Sequence, residues 1–115
     1  MTEKFRVQFL EEAAEFLDNL DEKPRDKIIY NLNKAKFSKD KELFEKLQGE
    51  IWEFRTLFKK MHYRLLAFWD KSERIDTVVI TTHGIIKKTG KTPQSDIDKA
   101  EKIRKLYLKQ KIHGQ

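Results

Sequence analysis

A cluster of lysines follows a predicted β-strand late in the chain. The apolar, β-branched stretch of residues 78–82 leads directly into His83, and Lys87, Lys88 and Lys91 follow soon afterwards. A strand that ends here would project these side chains from the end of its sheet. Clustered positive charge attracts phosphate groups, and an imidazole titrates near neutral pH, where it can move a proton. The spacing therefore indicates a site for a phosphate-bearing ligand.

Two arginines in the preceding hairpin are predicted to face each other. If Lys59-Lys60 is a two-residue loop, Arg55 lies directly opposite Arg64 on the next strand. Like charges in this position, with Cβ atoms about 4.5–5.5 Å apart, destabilise a sheet unless something compensates them. A bound anion would do so. Lys-Lys is a poor type I′ turn, so a longer loop remains an alternative, and it would shift the pairing.

Together these residues would supply what metal-free RNA cleavage needs. Attack by the 2′-hydroxyl requires a proton acceptor, cations that neutralise the pentacoordinate phosphate, and an acid for the leaving 5′-oxygen. His83 and His62 are candidates for the proton transfers, and a lysine could serve if desolvation lowered its pKa. Arg55 and Arg64 would grip the phosphate oxygens in bidentate fashion.

A second interpretation of the same residues involves no chemistry. The arginines could be solvated or paired with Glu53 or Asp70, and a basic loop could bind phosphate without cleaving anything. The sequence contains no P-loop, GxGxxG, HExxH or GxSxG motif. Cysteine is absent and the three histidines are scattered, so we expect neither a metal nor a cofactor.

The composition predicts one folded domain. With 115 residues, 38% hydrophobic and 38% charged, the chain can bury one modest core. We expect a domain over residues 1–110 and a flexible tail over residues 111–115. No segment approaches the roughly 20 apolar residues of a membrane span, and no signal peptide is recognisable, so we expect a cytoplasmic protein without membrane contact. Residues 51–115 carry 15 Lys and Arg against 7 Asp and Glu, which favours a polyanionic partner.

The first half of the chain predicts a strand and two helices. Alternating apolar residues indicate a strand at Phe5–Phe9, followed at once by a helix that ends near residues 19–21. Pro24 suits the first position of a second helix, so the two helices would form an αα-hairpin. The charged stretch of residues 38–50 is partly helical in its pattern, and Gly49 is expected to end it in a turn.

The second half changes to a period of two. Strands rich in aromatic and β-branched residues are predicted at Ile51–Phe58, Tyr63–Asp70 and Ile75–Thr82. Their short connections imply an antiparallel meander. Thr92 as N-cap and Pro93 at the first helical position predict a final helix.

The stretch ITTHGIIKKTGKTPQSDIDKAEKIRKLY (residues 80–107) resembles the C-terminal signature of HigB-type toxins, a branch of the RelE/ParE superfamily that includes phage-derived relatives. In that branch the last strand runs into a His-Gly segment with a Lys-Lys pair, then Thr-Pro and a helix. The upstream IWEFR and YRLLAFW resemble the other two strand motifs. Ile85 departs from the pattern, because relatives often carry an aromatic residue there, and this leaves the substrate sequence preference open.

The resemblance implies an α+β, RelE-like fold, in which an N-terminal strand and helical hairpin pack on a small antiparallel sheet with a C-terminal helix. It implies a ribosome-dependent mRNA endoribonuclease with a cognate helix-turn-helix, HigA-like antitoxin as partner. The alternative is a non-catalytic protein of the same fold, directed at DNA gyrase or binding RNA only. The residues expected to be catalytic are Arg55, Arg64, His83 and Lys87, and those expected to bind RNA are Lys59, Lys60, His62, Lys88 and Lys91.

Overall fold

The computed structural model describes residues 3–72 and 77–113, and the side chains of residues 3–72 and 77–111. These residues form five strands and three helices, in the order β1 (Arg6–Phe9), α1 (Glu11–Asp18), α2 (Glu22–Ala35), β2 (Phe44–Gln48), β3 (Ile51–Phe58), β4 (Met61–Asp70), β5 (Val78–Lys87) and α3 (Gln94–His113). The predicted α+β class is confirmed.

All five strands belong to one sheet, in the order β1-β5-β4-β3-β2. β3, β4 and β5 form the predicted antiparallel meander, and β1 lies parallel to β5 at one edge, with Arg6 opposite Val78. The αα-hairpin connects β1 to β2, which lies at the other edge. Since the two edge strands come from the first half of the chain, the basic second half forms the centre of the sheet.

The segment after α2 departs from the sequence prediction. Residues 38–50 have a partly helical pattern, but Phe44–Gln48 is a strand that pairs with β3. Phe44 lies opposite Phe54, and its ring stacks on that ring at 4.2 Å between centroids. Cross-strand aromatic packing outweighs a weak local helical preference, because strand propensity depends mainly on such neighbours. The turn at Gly49 is confirmed, with a φ of 56° that favours glycine.

The last strand is longer than predicted. It continues past Thr82 to Lys87, and its register with β4 shifts between Leu66 and Ala67. Leu66 pairs with His83 and Ala67 with Thr81, so Thr82 is the extra residue of a β-bulge. Ile75, the expected start of this strand, lies outside the described residues.

Two separate cores lie on the two faces of the sheet. On the first face, α1 and α2 bury Leu17, Ile28 and Leu32 against sheet residues that include Leu65. On the second face, α3 covers a smaller cluster that contains Leu66, Phe68, Ile80 and Ala100. Neighbouring residues of β4 thus point to opposite faces, as the strand period of two requires.

Buried polar contacts fix both ends of α3. Near its beginning, the hydroxyl of Thr92 donates to Glu53 on β3, whereas the Pro93 carbonyl accepts the N–H of Asp96 at 3.0 Å. Near its end, the Tyr107 hydroxyl and Lys111 Nζ each donate to Asp70 Oδ2 at 2.6 Å. The helix therefore continues into the segment expected to be a flexible tail.

Asp70 is the anchor of the far end of α3. Burial on its own would raise the pKa of this carboxyl group, but hydrogen bonds from Lys111, Ser72 and Tyr107 hold the pKa well below its usual range. Asp70 is therefore charged at neutral pH and attracts the cation at the end of the helix.

Candidate functional site

The arginine pair has the predicted register. Arg55 on β3 lies directly opposite Arg64 on β4. Lys59 and Lys60 form the two-residue loop between these strands, with φ values of 49° and 68°. Positive φ at both central positions is characteristic of a type I′ turn, whose twist matches that of the strands. The loop keeps this geometry although lysine is an unfavourable residue for it.

A buried carboxylate holds the two arginines together. Glu53 is 0% exposed, and its Oε2 atom accepts hydrogen bonds from Arg55 Nε at 2.7 Å and Arg64 Nη1 at 2.9 Å. Its Oε1 atom accepts from the hydroxyl of Thr92. The repulsion between the arginines is thus compensated from within the protein, as one of the sequence interpretations allowed. Thr92 was predicted only as a helix cap, and its sequence position gives no signal of this contact.

The two arginines differ in accessibility. The Arg55 side chain is 33% exposed and also pairs with Glu45 at 2.9 Å, whereas the Arg64 side chain is 11% exposed. Arg64 Nε is buried and has no hydrogen-bond partner among the described residues. An unpaired buried donor on a charged group is costly, typically about 1–3 kcal/mol or more. It is the donor in this cluster that an incoming oxygen would satisfy.

Two neighbouring rows of side chains cross the second face of the sheet. The first row contains Arg55, Arg64 and Ile85, and the second contains Leu57, His62 and Lys87. Residues two apart on a strand share a face, so both rows lie on the same side. The structure therefore brings His62 and Lys87 beside the arginine pair, at the end of the sheet that the sequence left undecided.

The remaining basic residues surround this end of the sheet. Lys59 and Lys60 are exposed at the tip of the β3–β4 hairpin, and Lys88 and Lys91 are exposed in the loop after β5. Lys87 Nζ donates to the Lys91 carbonyl at 2.9 Å, which closes this loop. Four exposed cations around the less exposed arginine pair form a surface suited to a polyanion. We call the two rows and these four lysines the basic site.

His83 is not part of this accessible surface. It is 2% exposed beneath α3, with Nδ1 at 2.9 Å from Thr82 Oγ1 and Nε2 at 3.1 Å from Asp96 Oδ1. Burial lowers the pKa of His83, although the hydrogen bond to Asp96 opposes this. A neutral ring satisfies both contacts if Nε2–H donates to Asp96 and Nδ1 accepts the Thr82 hydroxyl hydrogen, in place of the longer bond of that hydroxyl to the Leu66 carbonyl at 3.3 Å. In this arrangement both ring nitrogens are already used.

The comparison with protein families decides what kind of protein carries this site. A family model described as Phage derived protein Gp49-like (DUF891) matches residues 15–105, which include both arginines, Glu53 and Thr92. The chain belongs to the Gp49-like family. This phage-derived family is a toxin-like family of the RelE superfamily, and the five-stranded sheet with its C-terminal helix is compatible with a RelE-like fold. No curated protein matches the Gp49-like chain.

Two further properties of the described residues bear on the site. No group of three or more His, Asp or Glu side chains within residues 3–72 and 77–111 converges as metal ligands would. None of the three described helices is long and apolar enough to cross a membrane.

Proposed function

We propose that this Gp49-like protein is the toxin of a type II toxin–antitoxin system and cleaves translated mRNA on the ribosome. The family supports a toxin-like role. The observation that carries the nuclease proposal is the arginine pair, in which Arg64 Nε is buried without a partner among the described residues, with His62 and Lys87 in the neighbouring row of the same face. The cleaved class of molecule would be RNA, because its 2′-hydroxyl supplies the nucleophile without a metal.

In this proposal the arginines bind the scissile phosphate. Arg64 would donate from Nε and Arg55 from its exposed guanidinium edge to the non-bridging oxygens. These contacts strengthen as negative charge develops in the pentacoordinate transition state. Glu53 keeps both guanidinium groups in place before the substrate arrives, so less reorganisation is needed during the reaction. Lys87 would add positive charge from the neighbouring row.

We assign the proton transfer to His62 rather than to His83. His62 is half-buried in the accessible row, opposite Lys87, whereas His83 would have to release Asp96 and Thr82 and lose its cover of α3. His62 would take the proton of the 2′-hydroxyl as the oxygen attacks phosphorus. The P–O5′ bond then breaks, the 5′-oxygen gains a proton, and a 2′,3′-cyclic phosphate remains. Lys87 is the cation placed to protonate or stabilise the leaving oxygen.

The proposed partners follow from charge and family. The exposed lysines Lys59, Lys60, Lys88 and Lys91 would contact RNA phosphates of the mRNA or the ribosome, and such contacts dominate affinity at low salt. A cognate helix-turn-helix antitoxin of the HigA type would neutralise the toxin, and both would act in the cytoplasm.

Primer extension on cellular mRNA, after a short induction of the protein, tests this function. The wild type should produce new 5′ ends confined to translated regions. Arg64→Ala should not produce them, although its circular dichroism spectrum should show that the protein is folded. Arg104→Ala is the matched control, because Arg104 lies on α3, outside the basic site, and pairs with Glu101 of the same helix. A folded Arg64→Ala protein that still cleaves like the wild type would refute the assignment.

A second candidate function has its own support. Glu53 and Glu45 already neutralise the arginine pair, and His83 is covered, which would also suit a surface that binds its target without chemistry. A non-catalytic toxin of this fold, directed at DNA gyrase or at RNA without cleavage, would arrest growth and leave the cellular mRNA intact. The same primer-extension experiment separates the two functions.

A further inference from the structure

A pocket on the first face of the sheet lies apart from the basic site. Its volume is about 310 Å³, and its aromatic wall consists of Phe5, Phe44, Trp52 and Trp69. Phe5 belongs to the core under α1 and α2, and Phe44 and Trp69 pack against that core. The arginine pair projects from the opposite face. A ligand in the pocket would therefore leave the basic site free.

The aromatic wall is built by rings that hold one another in place. Trp52 stacks on Phe44 with 4.8 Å between centroids, and Trp69 packs edge-on against both Trp52 at 5.7 Å and Phe5 at 5.3 Å. Trp52 and Trp69 are the two tryptophans of the chain, and both are partly exposed. Tryptophan is over-represented among the residues that carry binding energy at protein interfaces.

The rim of the pocket is positively charged. Lys4, Lys39 and Lys41 line it together with a single acid, Asp40. Asp40 Oδ1 already accepts the backbone N–H of Glu42 at 2.9 Å. All three lysines are exposed. The charge of the rim is thus complementary to carboxylates that flank an inserted side chain.

From these observations we propose that the pocket is a docking site for a protein partner. The partner inserts one large apolar side chain, carried on an acidic segment, between the aromatic wall and the lysine rim. The proposal does not depend on nuclease activity or on the identity of the target on the ribosome.

The wall favours an apolar side chain over a nucleobase. A base that enters a pocket must satisfy the hydrogen-bonding groups on its edge, and burying them without partners is costly. The rings of the wall carry no hydrogen-bond acceptor for the N–H groups of a base, and the Ser38 hydroxyl beside them already donates to the Lys34 carbonyl at 3.3 Å. A phenylalanine or leucine side chain has no such groups and loses only contact with water.

The test uses the full chain and a synthetic peptide with one phenylalanine between two runs of glutamate. Because both tryptophans line the pocket, their fluorescence reports on its occupation. A second peptide, with serine in place of phenylalanine, has the same charge and serves as the ligand control. We expect the phenylalanine peptide to shift the tryptophan fluorescence and to bind at least about tenfold more tightly than the serine peptide.

Charge reversal at the rim provides the protein control. Lys39→Glu combined with Lys41→Glu should weaken the binding of the phenylalanine peptide by about tenfold or more, since two attractive contacts become repulsive. Lys102→Glu with Lys109→Glu makes the same change in net charge at two exposed positions of α3, and should leave binding unchanged. Arg64→Ala should also leave it unchanged, which separates this pocket from the basic site.

Three results would overturn the proposal. The first is equal binding of the two peptides or no binding of either. The second is that the rim variant and the α3 variant weaken peptide binding equally, which would mean that net charge alone determines the affinity. The third is an oligouridylate that displaces the phenylalanine peptide and itself depends on Lys39 and Lys41, which would make the pocket an RNA site.

Discussion

Replacing Glu53 with glutamine tests whether one buried carboxylate holds the basic site together. The substitution keeps the shape of the side chain and one carbonyl acceptor but removes the charge shared by Arg55 and Arg64. Removing one partner of a buried ion pair typically costs about 3–5 kcal/mol, because the other charge is left uncompensated. We expect Glu53→Gln to be destabilised by an amount in this range.

The exposure of each arginine determines where in that range the loss of unfolding free energy falls. Arg55 is 33% exposed and retains Glu45, so its share of the loss is small, as for surface pairs. Arg64 is 11% exposed, and most of the cost comes from this residue. The estimate is therefore near the lower end, about 3 kcal/mol, which corresponds to a fall in Tm of roughly 10 °C in a domain of this size.

Thermal and urea unfolding followed by circular dichroism would measure this loss. Glu45→Gln is the matched control, since that side chain is 39% exposed and pairs with the more exposed arginine, Arg55, and it should change stability by about 0.5 kcal/mol or less. In Glu53→Gln/Arg64→Gln the two losses should not add, because the second substitution removes the uncompensated charge. A Glu53→Gln protein that melts within about 2 °C of the wild type would refute this account of the site.

Three other variants have expected outcomes. The folded-state pKa of His83 lies below its ordinary value of 6.5. The stability that comes from the neutral ring is therefore complete above pH 6.5 and is lost as the pH falls. His83→Gln should flatten this part of the plot of stability against pH, measured by urea titrations at several pH values. A Cβ at Gly84 would collide with the ring of Phe16, so Gly84→Ala should cost about 1–3 kcal/mol by urea unfolding, and an unchanged midpoint would contradict the close approach. Lys59→Asn with Lys60→Gly suits the positive φ values of the turn and should raise stability by up to about 1 kcal/mol while RNA retention on filters at low salt decreases.

The central strands and their pairing could be predicted from the sequence. Aromatic and β-branched residues define β3 and β4, and the two-residue loop then determines that Arg55 faces Arg64. The loop itself was the weak point of that prediction, because lysine disfavours positive φ. In the structure, pairing along the whole hairpin overrides this local cost.

The short edge strand β2 could not be predicted in the same way. Leu43, Phe44 and Leu47 are spaced as on one face of a helix, and Phe44 becomes a strand residue through the contact of its ring with Phe54 and Trp52 on the neighbouring strand. That contact joins residues from separate elements, so no local pattern contains it.

The structure brings most of the predicted site residues together, but the position of α3, which buries His83, could not be predicted. The facing of Arg55 and Arg64 follows from strand alternation and the two-residue loop, whereas His62 and Lys87 lie in parts of β4 and β5 beyond the predicted strands. The cover that α3 places over His83 does not follow from strand alternation, because it depends on how a helix docks on the sheet. The sequence marked His83 by its position after β-branched residues, a signal that also fits a buried histidine.

The position of α3 after all the strands has a consequence for a chain that is still being synthesised. Glu53, His83 and Asp70 are all made before their partners Thr92, Asp96 and Tyr107. Until Thr92 and this helix emerge and dock, three buried polar groups of the sheet each lack part of their native contacts. The arginine pair therefore reaches its final arrangement only after Thr92 has been made and has docked, and a shorter nascent chain would not yet carry a finished basic site.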